Sequence, residues 1–250
     1  YFSPAANGPV SYVAFPNVKT CLSFFRNGTI SVQGNDIHIQ SSPGSNEAMI
    51  TGLYTQPAYV QYTTTIAEIA IVLKPLGLHY LLPNAADYTG NACGIRFNEH
   101  DWWPAIHNAF NANDMQAAIM VLEAFLLTQL RIPTLQNIAA AIHLLEDTDD
   151  TIAHIASLLH IHKKTLERQF TAAIGCPPAT YRRILRFRRS VDVRLLNQQI
   201  ANLTDVAHIS RYYDQSYFIR EYRKLTGNNP GDFFARVTAF ERNKLVWVLR

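Results

Sequence analysis

Two sets of residues in this chain have the types and spacing that could do chemistry. The first could hold a metal or move a proton: His38, His79, Glu99, His100, His107, His154, His160 and His162. Metal sites need ligands at short, regular separations on one side of an element. His38, in "DIHIQ", has no second histidine to make a pair, and "HIASLLHIH" crosses a turn between two helical segments. These histidines read as surface or structural, and no metal is expected. Cys21, Cys93 and Cys176 are odd in number and widely spaced, which makes neither a disulfide framework nor a zinc site and fits a reducing cytoplasm. With no phosphate-cradling glycine loop, Gly-x-Ser-x-Gly elbow or His-Glu-x-x-His helix, no catalytic residue and no cofactor is expected. The second set is "HISRYYDQSYFIREYRKLTG", residues 208–227. It interleaves Tyr212, Tyr213, Tyr217, Phe218 and Tyr222 with Arg211, Arg220, Arg223 and Lys224, and closes on Gly227. Such a segment could pack on one side and grip an anion on the other.

The elements that must position these residues follow from composition and period. With 48% apolar and 16% charged residues the chain is a folded globular protein, long enough at 250 residues for one large domain or two ordinary ones. No apolar run of about 18 residues is present to cross a membrane, and "YFSPAANGPV" lacks the basic flank and apolar run of a signal peptide. The net charge of +3 hides a division: residues 1–130 carry 4 Lys/Arg against 8 Asp/Glu, and residues 151–250 carry 17 against 7. Texture changes with charge. Alternating runs such as "GTISVQGNDIHIQ" and "AYVQYTTTIAEIAIVL" predict strands, whereas the period from about Asp101 onward is helical. "DWWPAIHNAF" and "NDMQAAIMVLEAFLLTQL" predict a helical hairpin over about 101–130 with Asp114 as an N-cap. "RIPT" follows as a linker. The acidic "EDTDD" (Glu146–Asp150) reads as a solvated loop opening the next helix.

Residues 151–181 and 202–233 repeat one pattern. Ala156 aligns with Ala207, Arg168 with Arg220, Gly175 with Gly227 and Pro178 with Pro230, with one extra residue in the second turn. Thr151 and Asn202 are N-cap types, the small Ala156 and Ala207 allow close helix approach, and each glycine stands at a helix C-terminus shortly before a proline. Two helix-turn-helix units over about 151–174 and 202–226 follow. In the second, Phe218 and Tyr222 face the core, and Gln215, Ser216, Tyr217, Ile219 and Arg220 lie at or near the other face. Between the copies "ATYRRILRFRRSVDVRLLN" predicts one long helix with Arg182, Arg183, Arg186, Arg188, Arg189 and Arg194 against a single acid, Asp192. A face of one sign is suited to phosphates.

These motifs, "IASLL", "TLERQF", "YRRILRFRR" and "YYDQSYFIREYRKLTGNNPGDF", resemble the DNA-binding domain of the AraC/XylS family of bacterial transcription regulators. The resemblance covers residues 131–240. It implies seven helices and two recognition helices entering successive major-groove faces of double-stranded DNA, roughly 34 Å apart. It also implies RNA polymerase as a partner. By the family's pattern Gln215, Tyr217, Ile219 and Arg220, with Lys164, Glu167 and Arg168 in the first copy, would meet bases. Ser216, Lys163, Arg182, Arg186, Arg189 and Arg223 would meet phosphates. This chain departs from the pattern at His160 and Arg211, where a small residue or glycine is common in the turns, and at His162, which replaces a Ser-type cap.

Residues 1–130, through "IVLKPLGLHYLL" above all, resemble the cupin-like sensor domains of one branch of that family. The expected fold is therefore α+β: an N-terminal cupin-like small β-barrel with a helical hairpin, and an all-α double helix-turn-helix domain over 131–250. Tyr59, Tyr62 and Ile69 would line a pocket for an unidentified small apolar or amphipathic effector, or else fill the barrel core. The hairpin's stripe (Ile119, Leu122, Phe125, Leu126, Leu130) serves either core packing or the pairing of two copies. The function expected is sequence-specific transcription regulation. A sequence-tolerant nucleic-acid binder and a barrel enzyme anchored by a basic domain are the alternatives.

Overall fold

The computed structural model describes residues 9–90, 93–196, 202–240 and 245–249. The N-terminal strands are β1 (Val10–Ala14), β2 (Thr20–Gln33), β3 (Asp36–Thr51), β4 (Ala58–Tyr62), β5 (Ala67–Leu73) and β6 (Ile95–Arg96). β2 and β3 form a long hairpin whose two-residue turn places Gly34 at φ +60° between the paired Gln33 and Asp36. A register shift between Arg26 and Gly28, with Asn27 at φ +54°, marks a bulge in β2, and such a bulge bends a strand and increases its twist.

Successive residues of a strand face opposite sides. Leu22, Phe24, Ile50 and Ile69 pack on one side with Trp102, Ile106 and Leu122, the last two from a hairpin of α1 (Trp103–Phe110) and α2 (Met115–Gln129). Phe25, Ile30, Ile37, Ile39 and Val60 form a second cluster on the other side. Asp114 caps α2 as expected, accepting from Ala117 N at 2.8 Å.

Beyond a short extended link come α3 (Gln136–Asp147), α4 (Ile152–Leu158), α5 (Lys163–Ile174), α6 (Pro178–Leu196), α7 (Leu203–Ile209), α8 (Gln215–Thr226) and α9 (Pro230–Arg236). These are the seven expected helices. Two strands then follow, β7 (Thr238–Phe240) and β8 (Leu245–Leu249), and β8 pairs antiparallel with β1, Val13 opposite Val248. The sheet order is β5-β2-β3-β4-β1-β8-β7, with β6 on β3. Among the described residues β5 and β7 do not pair with each other, so the sheet is a curled, open half-barrel and not a closed one. The α1–α2 hairpin covers one of its faces.

The halves share a core. Val13, Phe15, Leu53 and Leu76 belong to the same buried cluster as Leu166, Phe170, Phe218, Tyr222 and Phe233. Leu76 enters it from a left-handed backbone, φ +66°, uncommon for a branched side chain.

Candidate nucleic-acid interface

Each helix-turn-helix unit is built by local rules that the sequence carries twice. Thr151 caps α4 by accepting from His154 N at 3.1 Å, and Asn202 caps α7 by accepting from Asp205 N at 2.7 Å. In the two turns His160 and Arg211 adopt φ +54° and +62°. The bonds around them coincide: Ile161 N to Ala156 O and Tyr212 N to Ala207 O, each 3.0 Å, and His160 N to Ser157 O and Arg211 N to His208 O, again each 3.0 Å. This is a left-handed helix C-cap made without glycine, which costs on the order of 1 kcal/mol of backbone strain at each turn. The departures at these two positions therefore leave the turn intact. The second helices end at Gly175, φ +91°, and Gly227, φ +74°.

The starts of α5 and α8 differ. Asp214 accepts from Tyr217 N at 2.6 Å, whereas His162 makes no side-chain cap.

Inward, α5 buries Leu166 and Phe170, and α8 buries Phe218, Tyr222 and Leu225. Each such side chain contributes about 1.5–3 kcal/mol on burial. Outward, α8 exposes Gln215, Ser216, Arg220 and Arg223, with Tyr217 and Ile219 half-buried. The Arg220 guanidinium lies 5.8 Å from the centre of the Tyr217 ring. α5 exposes Lys163, Lys164 and Arg168. Its half-buried Glu167 is 3.7 Å from Lys163, which provides the cation that offsets its charge on this face. In the aromatic and cationic stretch, Tyr212 is 7% exposed and Tyr213 93%, so the aromatics divide between core and surface.

The arginines of α6 also divide in where they point. Arg183 Nε lies 2.5 Å from Glu221 Oε2, whose side chain is 3% exposed. Arg188 reaches the N-terminal half, donating from Nε to Pro16 O and from Nη2 to Phe15 O. Arg186 donates to Asp149 at 3.1 Å, and Arg211 of the second turn is 3.8 Å from the same carboxylate. Asp149 is thus a tie between both copies and α6, not only part of a solvated loop. Arg182 is half-buried, and burial, followed by the neighbouring charge of Arg186, lowers its pKa. Arg189 is exposed. Ser190, fully buried, shares a 2.6 Å hydrogen bond with Tyr222 Oη, and burial holds that hydroxyl well above the usual tyrosine range, so it stays neutral.

The expected effector residues do not come together. Tyr59 is 37% exposed, and Tyr62, three residues along the same strand, faces the other side. Tyr62 donates to Glu68 at 2.6 Å, and burial raises the Glu68 carboxyl above its ordinary range. Ile69, next to Glu68 and so on the opposite face, is sealed in the cluster with Trp102. Among the described residues no group of three or more His, Cys, Asp or Glu is placed to hold a metal ion. Glu99 instead accepts from Asn84 at 2.9 Å and Tyr88 at 2.7 Å, and these bonds lower its pKa. No helix among the described residues is long and apolar enough to cross a membrane.

Two helix-turn-helix units, each with a capped first helix, thus share one connecting helix and are joined to a curled sheet. Residues 155–236 match the family described as "Helix-turn-helix domain". Two proteins described as AraC-like transcription regulators, from Streptomyces antibioticus and Streptomyces lividans, are 31% and 29% identical over 83 residues. The match covers 33% of this chain and 27% of each relative, so it spans little more than a quarter of their length. The 1.65 Å structure of ToxT from Vibrio cholerae aligns over 94% of this chain and 97% of its own with a TM-score of 0.50 and 12% identity, a likeness of fold. Over this helical region the chain is similar to AraC-like transcription regulators.

Proposed function

We propose that this chain is a sequence-specific transcription regulator working in the cytoplasm on double-stranded DNA, without a catalytic role of its own. The observation that carries this reading is the pair of helices α5 and α8. Each presents an exposed, polar, cationic face on a buried apolar back, and both pack against the single helix α6. In this reading Arg220, Gln215, Tyr217 and Ile219 of α8, with Lys164, Glu167 and Arg168 of α5, read base edges. Ser216, Lys163, Arg182, Arg189 and Arg223 contact phosphates, and Arg186 does so in exchange for Asp149. Residues 1–130, with β7 and β8 added to their sheet, act as the regulatory half, responding to a small molecule or a partner such as RNA polymerase. Two copies pair through α2, whose Met115, Ile119, Met120 and Leu127 are exposed although apolar; sedimentation of an Ile119→Glu/Met120→Glu variant as a monomer would support this.

Selection of fragments bound by the full chain from genomic DNA is the test. A regulator prefers its site over random DNA by about 10³-fold or more. With roughly six phosphate contacts, log K should fall with log salt at a slope of about −5. Binding without preference would replace this reading with that of a sequence-tolerant binder, and a slope near zero would remove the phosphate grip.

A further inference from the structure

The two DNA-facing helices are held by different parts of the molecule. α8 is fastened to α6 by Arg183–Glu221 and Ser190–Tyr222. α5 meets α6 through apolar contact, Phe170 edge-on to Tyr181 at 5.4 Å, while its carboxyl end is finished by the N-terminal half. A helix leaves its last four carbonyls without intrahelical donors. In α5, Thr171 O accepts from Gly175 N at 2.8 Å. The next two carbonyls take donors from across the junction. Ala172 O accepts from Thr89 Oγ1 at 3.1 Å, a hydroxyl shared with Ala86 O, and Ala173 O lies 2.8 Å from His79 Nε2, which must carry the proton. Gly175 rests directly on Gly90, since a Cβ at Gly175 would stand 2.8 Å from Gly90 N.

The 76–90 segment that supplies these groups begins at Leu76, whose left-handed backbone directs its side chain into the helical core. Strain of this kind persists where surrounding structure over-determines it. The space left at the junction, lined by Leu53, Leu78, His79, Tyr88, Thr89 and Ile174, is about 20 Å³, enough for one water and no more. The contact is packed. The N-terminal half also holds α6, through Phe15 and Pro16 on Arg188, and α9, through Phe15 on Phe233 at 4.9 Å. It therefore has one grip on the body that carries α8 and a separate grip on α5.

We infer that His79 and Thr89 are positioning residues for DNA recognition: by capping α5 they set the first DNA-reading helix relative to the second. A change in the 76–90 segment would then be read out through the α5 half-site. This rests on the DNA-reading function proposed above and adds which half of the operator the 76–90 segment controls.

The experiment uses the full chain and its selected DNA. Base pairs whose substitution penalty vanishes in Arg168→Ala define the α5 half-site, and those whose penalty vanishes in Arg220→Ala define the α8 half-site. His79→Ala should reduce discrimination at the α5 half-site by roughly 3- to 10-fold, the range expected from one hydrogen bond. The α8 half-site should be unchanged, and His79→Gln, which keeps a donor, should restore discrimination. Thr89→Val, at a more exposed position, should act in the same direction and less, with melting temperature held near wild type. Equal losses at both half-sites, loss at the α8 half-site, or no change in either variant would overturn the inference while leaving a selective wild-type protein as a regulator. A wild-type chain with no selected site would remove both.

Discussion

α5 and α8 are twelve residues each, end on a glycine in the left-handed conformation, and follow turns with matching backbone hydrogen bonds. They are nevertheless integrated differently. Where copy two buries Glu221 against Arg183, copy one has the exposed Gln169. Where copy two opens on Asp214, copy one opens on His162, which caps nothing. A repeat can thus keep its local construction while its attachment to the rest of the molecule diverges, because caps and turns are satisfied within the unit and attachment is not. The second copy is a fixed part of α6. The first is held from behind by the other half of the chain.

The largest expected effect tests that attachment. Arg183→Ala leaves the buried Glu221 carboxylate with Lys224, at 3.4 Å, as its one ion-pair partner among the described residues. Breaking a buried pair costs about 3–5 kcal/mol; with Arg183 one-third exposed and Lys224 remaining, a loss of about 2–3 kcal/mol is expected in urea unfolding. Gln169→Ala should stay within about 0.5 kcal/mol of wild type. Equal losses would mean that the copies are anchored alike.

Next comes recognition. Arg220→Ala should weaken binding to the selected site by about 1–3 kcal/mol and relax preference at one base pair, with melting unchanged. Arg168→Ala should lose less, because α5 starts uncapped and carries the Lys163–Glu167 pair on its outer face. A uniform loss on all DNA would make Arg220 a phosphate clamp.

The caps sharpen the contrast at a smaller scale. Asp214→Ala should cost about 1 kcal/mol, His162→Ala close to nothing, and His162→Asp should gain about 1 kcal/mol, all read from thermal unfolding. The smallest effect lies in the turns. His160→Gly should gain about 0.5 kcal/mol by relieving the left-handed backbone, partly offset by the freer unfolded chain. Arg211→Gly should gain less, because it also gives up the contact with Asp149.

The helices were legible from sequence because their signals are local. Thr151, Asn202 and Asp214 cap within three residues, Gly175 and Gly227 close, and Leu166, Phe170, Phe218 and Tyr222 mark the inner faces. The destinations of the α6 arginines were not legible, because their partners are remote: Glu221 lies in α8, Asp149 before α4, and the carbonyls of Phe15 and Pro16 in the other half. One signal was present. Glu221 falls between Phe218 and Tyr222 on an inward face, where an acid calls for a buried cation. The grouping of Tyr59, Tyr62 and Ile69 failed on parity, since positions three apart on a strand, or adjacent to one that faces inward, point to opposite sides. The open sheet was hidden for another reason. Alternation predicts strands, but it does not say whether the last strand meets the first.

The pairing of β8 with β1 has a consequence for the order in which the molecule is made. Val13 finds Val248 only after all the helices from α3 to α9 have been synthesised. Synthesis at about 5–20 residues per second is slow beside the formation of locally connected helices, which takes microseconds to milliseconds. The helices from α3 to α9 can therefore assemble while one side of β1 still lacks its neighbour. Until β8 arrives, that side of β1 is an unpaired edge, and unpaired edges recruit other chains. A message cut short after α9 would thus yield the helices proposed to grip DNA together with an unpaired strand edge, a product predisposed to aggregate.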